Sequence, residues 1–327
     1  MRFLRILVLA GGGSTLAIGL YAQEFSAGWG GMQTPDLNQT SWTFQYTYRQ
    51  DFTRNFAASF TWLNEGHVTG HHRDGTVWQL WGTLPLADDH FALSFGVGPY
   101  YYYDTERTPD GSIDVHGTAP VYSLAATWYS DRRWFARLTL NRVNPQNDIK
   151  INTADFGFGV WLGRGERPTK GDFGDPPGAR PYTGNEFTVF GGVSVENSFN
   201  GEHRYASSVE YRLGVLPHLD WTVSYIRETN LQVARRSGLA TQIWPVNTFL
   251  NDRLSMGAGV GLYAAVGPHN RFRPDNTPAP VVSPLLSTEI SYRFAKHWFV
   301  RFIFHRIVSY VSPDSDVALV GIGYRVK

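Results

Sequence analysis

Phe91-Ala92-Leu93-Ser94-Phe95-Gly96-Val97-Gly98 alternates one large apolar side chain with one small one. In an extended chain successive side chains point to opposite faces, so Phe91, Leu93, Phe95 and Val97 share one face and the small residues share the other. Leu254-Ser255-Met256-Gly257-Ala258-Gly259-Val260-Gly261 repeats the arrangement. In Tyr122-Ser123-Leu124-Ala125-Ala126-Thr127-Trp128 the same period sets Tyr122, Leu124, Ala126 and Trp128 against Ser123, Ala125 and Thr127. Helical spacing is hardly visible anywhere. A soluble sandwich also alternates, so the period alone does not choose between all-β folds.

The connections do choose. Working outward, strands are expected near 24–32, 41–50, 55–63, 76–86, 90–103, 119–129, 133–143 and 153–163. Long joins near 33–40, 64–75, 104–118 and 144–152 alternate with short ones at Asp51 to Arg54, Ala87 to Asp89 and Ser130 to Arg132. Strands of about ten residues, with long loops at one end and tight turns at the other, are the pattern of an outer-membrane barrel. Closure is compulsory there, because an open edge in hydrocarbon leaves backbone groups unpaired. Aromatics gather near strand ends (Tyr100 to Tyr103, Trp128 and Tyr129, Trp134 and Phe135, Trp298 and Phe299), where interfacial girdles belong. The expectation is an all-β, transmembrane, antiparallel up-and-down β-barrel in the outer membrane of a Gram-negative envelope.

Composition agrees and excludes other classes. The 327 residues carry 29 Lys+Arg against 28 Asp+Glu, a net charge of +1, with 11 Trp, 17 Tyr and 21 Phe. That balance argues against nucleic acid as a partner, since such binders neutralise phosphates with an excess of cations. The absence of cysteine removes disulfides, iron–sulfur clusters, thiolate zinc sites and a cysteine nucleophile. Residues 1–22 open with Arg2 and Arg5, run through an uncharged, mostly apolar stretch and end on Ala22, the layout of a secretory signal peptide.

The second half repeats the first. Glu24-Phe25-Ser26 returns 162 residues later as Glu186-Phe187-Thr188, Gly75 returns 163 later as Gly238, and Trp134-Phe135-Ala136-Arg137 returns 164 later as Trp298-Phe299-Val300-Arg301. The expected organisation is therefore a signal peptide at 1–22, one eight-strand unit at 23–163, a Gly/Pro-rich periplasmic linker at 164–184 and a second, homologous eight-strand unit at 185–327. Two small barrels or one sixteen-stranded barrel would both satisfy this count. Small inward residues such as Ala57, Ser59 and Thr61 favour the narrow lumen of two eight-stranded barrels.

Chemistry concentrates in Asn64-Glu65-Gly66-His67-Val68-Thr69-Gly70-His71-His72-Arg73-Asp74-Gly75. Glu65, His67, His71, His72 and Asp74 are candidate binding residues, and imidazoles beside carboxylates suit a divalent metal, with His67, His71 and His72 as its candidate ligands. The matching stretch of the second half has no histidine, so the site is expected in the first half only; no other cofactor is expected. A second candidate row lies along Phe299 to His305, where Arg301, Ile303 and His305 share a face and Arg137, Thr139 and Asn141 are the first-half equivalents. Arg137 and Arg301 are read as binding residues or as members of a lumen network. Arg235, Arg236, Arg271 and Arg273 offer guanidinium groups to lipopolysaccharide phosphates.

The run Phe299-Val300-Arg301-Phe302-Ile303-Phe304-His305 resembles a strand of the outer-membrane lipid A deacylases. The resemblance implies an eight-stranded barrel hydrolysing an acyl ester with a Ser–His–acid arrangement, in which the serine follows the histidine by two residues. Here Ile307 holds that place and Ser309 follows His305 by four, so His305 and Ser309 are the candidate catalytic pair. The terminal run Ala318 to Val326 resembles the closing strand of the outer-membrane barrel superfamily, which implies the outer-membrane assembly machinery as a partner beside outer-membrane lipids and lipopolysaccharide. A structural or surface-binding role, a lipid A acyl hydrolase and a diffusion pore are the three functions these readings leave open.

Overall fold

The computed structural model describes residues 23–109, 111–146, 148–162, 184–197, 203–216, 218–228, 237–250, 252–266, 282–308 and 314–326. The expected signal peptide, and all but the last residue of the expected linker, lie outside the described residues. The described residues form sixteen strands: β1 (Gln23–Thr34), β2 (Gln39–Asp51), β3 (Phe56–Val68), β4 (His71–Leu86), β5 (Phe91–Thr108), β6 (Gly111–Tyr129), β7 (Trp134–Val143), β8 (Ile151–Trp161), β9 (Glu186–Glu196), β10 (His203–Leu216), β11 (Leu219–Glu228), β12 (Ser237–Phe249), β13 (Leu254–Ala265), β14 (Val282–Arg293), β15 (Trp298–Ile307) and β16 (Ser315–Arg325). β1 pairs antiparallel with β8, and β9 with β16, so each group of eight closes on itself. The chain forms two eight-stranded barrels.

Alternation sorts the side chains as the sequence anticipates. Leu93, Phe95, Leu124, Phe156, Val189, Tyr205, Val260 and Val320 face outward and are exposed, while Ala92, Ser94, Thr188, Ser208 and Leu319 face inward and are buried. A closed barrel with greasy side chains outside is inverted relative to a soluble fold, and a bilayer is the solvent that stabilises it. Aromatic pairs rim the belt: Trp128 meets Trp134 at 5.1 Å between ring centroids and Trp298 meets Tyr324 at 5.1 Å. The short turns fall where expected, with Ala87, Asp88 and Asp89 all at positive φ.

The outer ends depart from expectation. Residues 33–40, 64–75 and 104–118 read as loops because they lack apolar alternation, yet most of them continue as paired strand. β5 and β6 stay in register from Phe91↔Trp128 to Thr108↔Gly111. β5 has 18 residues where a bilayer crossing uses roughly 9–11. The outward row of β5 passes from Val97 through Pro99 to Tyr101, Tyr103 and Thr105, so the outer ends of β4, β5 and β6 project beyond the hydrocarbon.

The lumens are filled by paired charges as well as by the small residues expected. In the first barrel Arg137 Nη2 donates to Glu24 Oε2 at 2.6 Å and Tyr129 Oη donates to Glu24 Oε1 at 2.8 Å. In the second, Arg212 grips Glu289 through both terminal nitrogens at 2.7 and 2.5 Å, and Arg301 donates to Glu210 at 2.9 Å and Glu186 at 2.7 Å. Cavities of about 10 Å³ and 30 Å³ lie beside these networks, enough for roughly one or two water molecules.

The barrels meet through their outward faces near the outer end. Arg306 of β15 spans to Asp74 of β4 with two bonds of 2.5 and 3.0 Å, while also holding Asp316 at 2.7 and 2.6 Å. Its guanidinium lies over Trp62 and Tyr103 of the first barrel, and Phe304 packs edge-on against Trp62 at 5.3 Å. Toward the turn end, Asn247 Nδ2 donates to Tyr48 Oη at 3.1 Å.

Candidate functional site

The histidine-rich stretch folds as the β3–β4 hairpin, and a bulge decides where its side chains go. Between Asn64↔Asp74 and His67↔His72 the β3 strand carries one residue more than its partner. Gly66 makes this possible: its φ is +74°, its N–H donates to Asn64 Oδ1, and a Cβ there would collide with the Trp42 carbonyl oxygen. The extra residue leaves Glu65 pointing inward and returns His67 to the outside.

The expected cluster is consequently divided among three environments. His67 and His72 stack outside the barrel with centroids 3.9 Å apart, and no carboxylate is bonded to either among the described residues. Asp74 faces outward to Arg306 of the second barrel. Glu65 and His71 alone face the lumen mouth. There Arg73 Nε donates to Glu65, Arg73 Nη1 donates to Asp148 Oδ2 at 3.1 Å and Arg73 Nη2 donates to the Ile149 carbonyl at 2.9 Å. His71 Nδ1 lies 2.8 Å from Asp104 Oδ2.

Asp104 and Asp148 were not legible as partners of His71. Asp104 sits one rung from it across the β4–β5 ladder, where Arg73↔Asp104 and His71↔Glu106 are register pairs, and Asp148 arrives from the β7–β8 connection. The cross-strand signal exists only once β4 and β5 are known to extend past the bilayer.

These groups lie in the projecting hairpins, outside the apolar belt. Burial pushes the Glu65 carboxyl up to about 7 against the pull of Arg73, and burial raises Asp104 against its hydrogen bond from His71. Burial, aided by neighbouring His67, holds His72 down at about 3, so it is neutral at physiological pH. The mouth of the first barrel therefore concentrates carboxyl groups above a plug of Met32, Leu63, Val77, Tyr100 and Val121.

The second candidate row is placed as its alternation predicted: Arg301, Ile303 and His305 are inward and buried. His305 does meet a serine, but from the adjacent strand: Ser287 Oγ is 2.6 Å from His305 Nδ1, and Gln242 Nε2 donates to Ser287 Oγ at 2.8 Å. Ser309 lies outside the described residues, as do Arg235, Arg236, Arg271 and Arg273. The first barrel holds the same chain of bonds without a base: Gln79 Nε2 donates to Ser123 Oγ at 2.8 Å, and Ser123 Oγ donates to Asn141 Oδ1 at 2.6 Å. An amide performs the same bonding as the imidazole, and Ser287 and His305 are each at most 5% exposed. The arrangement is part of the packed lumen.

No protein-family model matches the chain, and no curated protein matches it in sequence. Among solved structures it is similar to the N-terminal β-barrel domain of Pseudomonas aeruginosa OprF, at 12% identity and a TM-score of 0.37 over 44% of this chain and 99% of that one. It is similar to Ail, the attachment invasion locus protein of Yersinia pestis, at 12% identity and a TM-score of 0.34 over 44% of this chain and 99% of that one. It is also similar to the KdgM porin, at 12% identity and a TM-score of 0.20 over 79% of this chain and 96% of that one. By its own closed strands and apolar exterior, this chain is a transmembrane β-barrel protein.

Proposed function

We propose that this protein is a two-barrel envelope protein, built from two copies of one eight-stranded unit, whose lumens are structural and whose working face is the projecting outer end of the first barrel. The observation that carries the reading is the placement of charge. Inside the bilayer the lumen charges form buried ion pairs; beyond it, β4, β5 and β6 raise a carboxylate- and histidine-bearing rim into the extracellular space.

A lipid partner is supported on the outer wall of the first barrel. A groove of about 580 Å³ there is lined by Phe95, Tyr122, Leu124, Leu140, Arg142 and Asn152. Arg142, bonded to Asn152 at 2.8 Å, sets a guanidinium at the top of an apolar floor, which suits an acyl chain under an anionic lipopolysaccharide headgroup. Residues 1–22 act in this reading as the export signal, and the β16 strand as the element presented to the outer-membrane assembly machinery.

Two measurements test the proposal against its rivals. Refolded protein in planar bilayers is expected to show no stepwise conductance, and well-resolved openings would establish a pore instead. Mass spectrometry of lipid A from cells with and without the protein is expected to show identical acylation; loss of one acyl chain would establish the hydrolase.

A further inference from the structure

At the mouth of the first barrel one guanidinium, Arg73, serves two carboxylates, Glu65 and Asp148. Asp104, Glu106 and Asp148 also gather around a single imidazole, His71, so carboxylates outnumber the fixed cation there. His71, Asp104 and Asp148 come from three separated parts of the chain, and one ligand atom from each lies within 4.8 Å of the others. Glu106 is the register partner of His71 and shares its inward row.

A second observation points to a missing partner. The Asp104 side chain has no exposed surface, yet among the described residues its Oδ1 has no hydrogen-bond partner, while Oδ2 is taken by His71. A buried carboxylate oxygen without a donor is costly, and polar groups in that state ordinarily mark a bound water or ion. Glu65 Oε1 is in the same condition a short way down the lumen.

We propose that His71, Asp104 and Asp148 hold one divalent transition-metal cation at the outer mouth of the first barrel. One imidazole nitrogen with two carboxylate oxygens is the donor set of zinc or manganese sites, and it is too rich in nitrogen for a dedicated calcium cage. The cation supplies positive charge among carboxylates that Arg73 alone does not balance. It also staples the β7–β8 connection, which carries Asp148, to the projecting β4–β5 ladder, and so shapes the face that the proposed surface-binding role would use. The site differs from a cluster of the local histidines: His67 and His72 belong to the outer surface and contribute nothing to it.

The test is zinc titration of untagged, refolded full-length protein in detergent micelles, followed by isothermal calorimetry. One equivalent is expected to bind wild type; Asp104→Asn and His71→Gln are each expected to weaken it at least tenfold, and the double variant His67→Ala, His72→Ala to leave it unchanged. Heat-dependent gel mobility reports folding of each variant. X-ray absorption of the zinc-loaded wild type needs no variant: one imidazole with two or more carboxylate oxygens is expected. Two imidazoles at the metal, binding lost in the His67/His72 double variant, or affinity indifferent to Asp104→Asn would each overturn the site. The inference rests on the reading of the outer end as the working face, but the two fail differently. No zinc uptake by a folded, non-conducting protein sinks the metal site alone, whereas conductance sinks the sealed-barrel reading alone.

Discussion

At the scale of single residues, the lumen of the second barrel is a balance of charges. Removing one partner of a buried pair leaves the other uncompensated, and Glu289 neutralises both Arg212 and Arg301. Glu289→Ala is therefore expected to cost about 3–5 kcal/mol in urea unfolding from micelles. His305→Asn is expected to cost about 1 kcal/mol or less, because Asn141 already performs that role in the first barrel. A loss as large as that of Glu289→Ala would show that the imidazole has a duty the bonding pattern does not reveal. Outside the bilayer, burial, with the charge of Asp314 adding to it, pushes Asp114 up to about 7, opposed by bonds from the Asp314 N–H and Thr105 and by nearby His116. A carboxyl raised in the folded state binds its proton more tightly folded than unfolded, so its contribution is most favourable at low pH and declines as pH rises from about 4 to 7. Wild type is expected to lose more stability between pH 5 and pH 8 than Asp114→Asn, by on the order of 2 kcal/mol. An identical pH dependence in the variant would refute the assignment. Inward placement of Arg137, Arg301 and His305 was legible from alternation alone, whereas Ser287 was not, because a cross-strand neighbour cannot be read until the register is known.

At the scale of elements, the strands crossing the bilayer were readable and their outer extensions were not. Apolar alternation is imposed by lipid on one side and lumen on the other; past the headgroups water meets the outer face, and the pattern disappears although the ladder continues. His71, Arg73, Asp104 and Glu106 still alternate inward, but with charged residues on an aqueous rim the period carries no hydropathy signal. The bulge at Gly66 shows how one residue redistributes a motif. Gly66→Ala is expected to destabilise the hairpin by about 1–3 kcal/mol, seen as faster amide exchange across residues 62–76 with the bilayer-spanning ladder still protected. Unchanged exchange would mean the left-handed turn is not required.

At the scale of the whole molecule, barrel number depends on which strand closes on β1, and no local pattern encodes that. Repeat offsets suggested two eight-strand units, and the small inward residues favoured narrow lumens; the strand pairing closes each group of eight, and the buried Arg–Glu networks supply filling that those residues alone would not. The second whole-molecule feature is the seam between barrels. Arg306 joins Asp74 and Asp316 with little exposure, so Arg306→Ala is expected to separate the barrels without unfolding either. Pulsed electron spin resonance between labels on Leu80 and Ile322 would broaden and lengthen in the variant; an unchanged distance would place the seam's strength elsewhere. Closure of each barrel on its own first strand is the decisive feature of the fold. The chain has no cysteine of its own, so Ala27→Cys with Phe158→Cys, register partners across β1 and β8, reports it cleanly. Oxidation of the refolded double variant should give a near-complete intramolecular disulfide, visible as a gel shift reversed by reductant. No bond there, with one forming instead between Ala27→Cys and Ile322→Cys on β16, would mean a single sixteen-stranded barrel and would contradict the account.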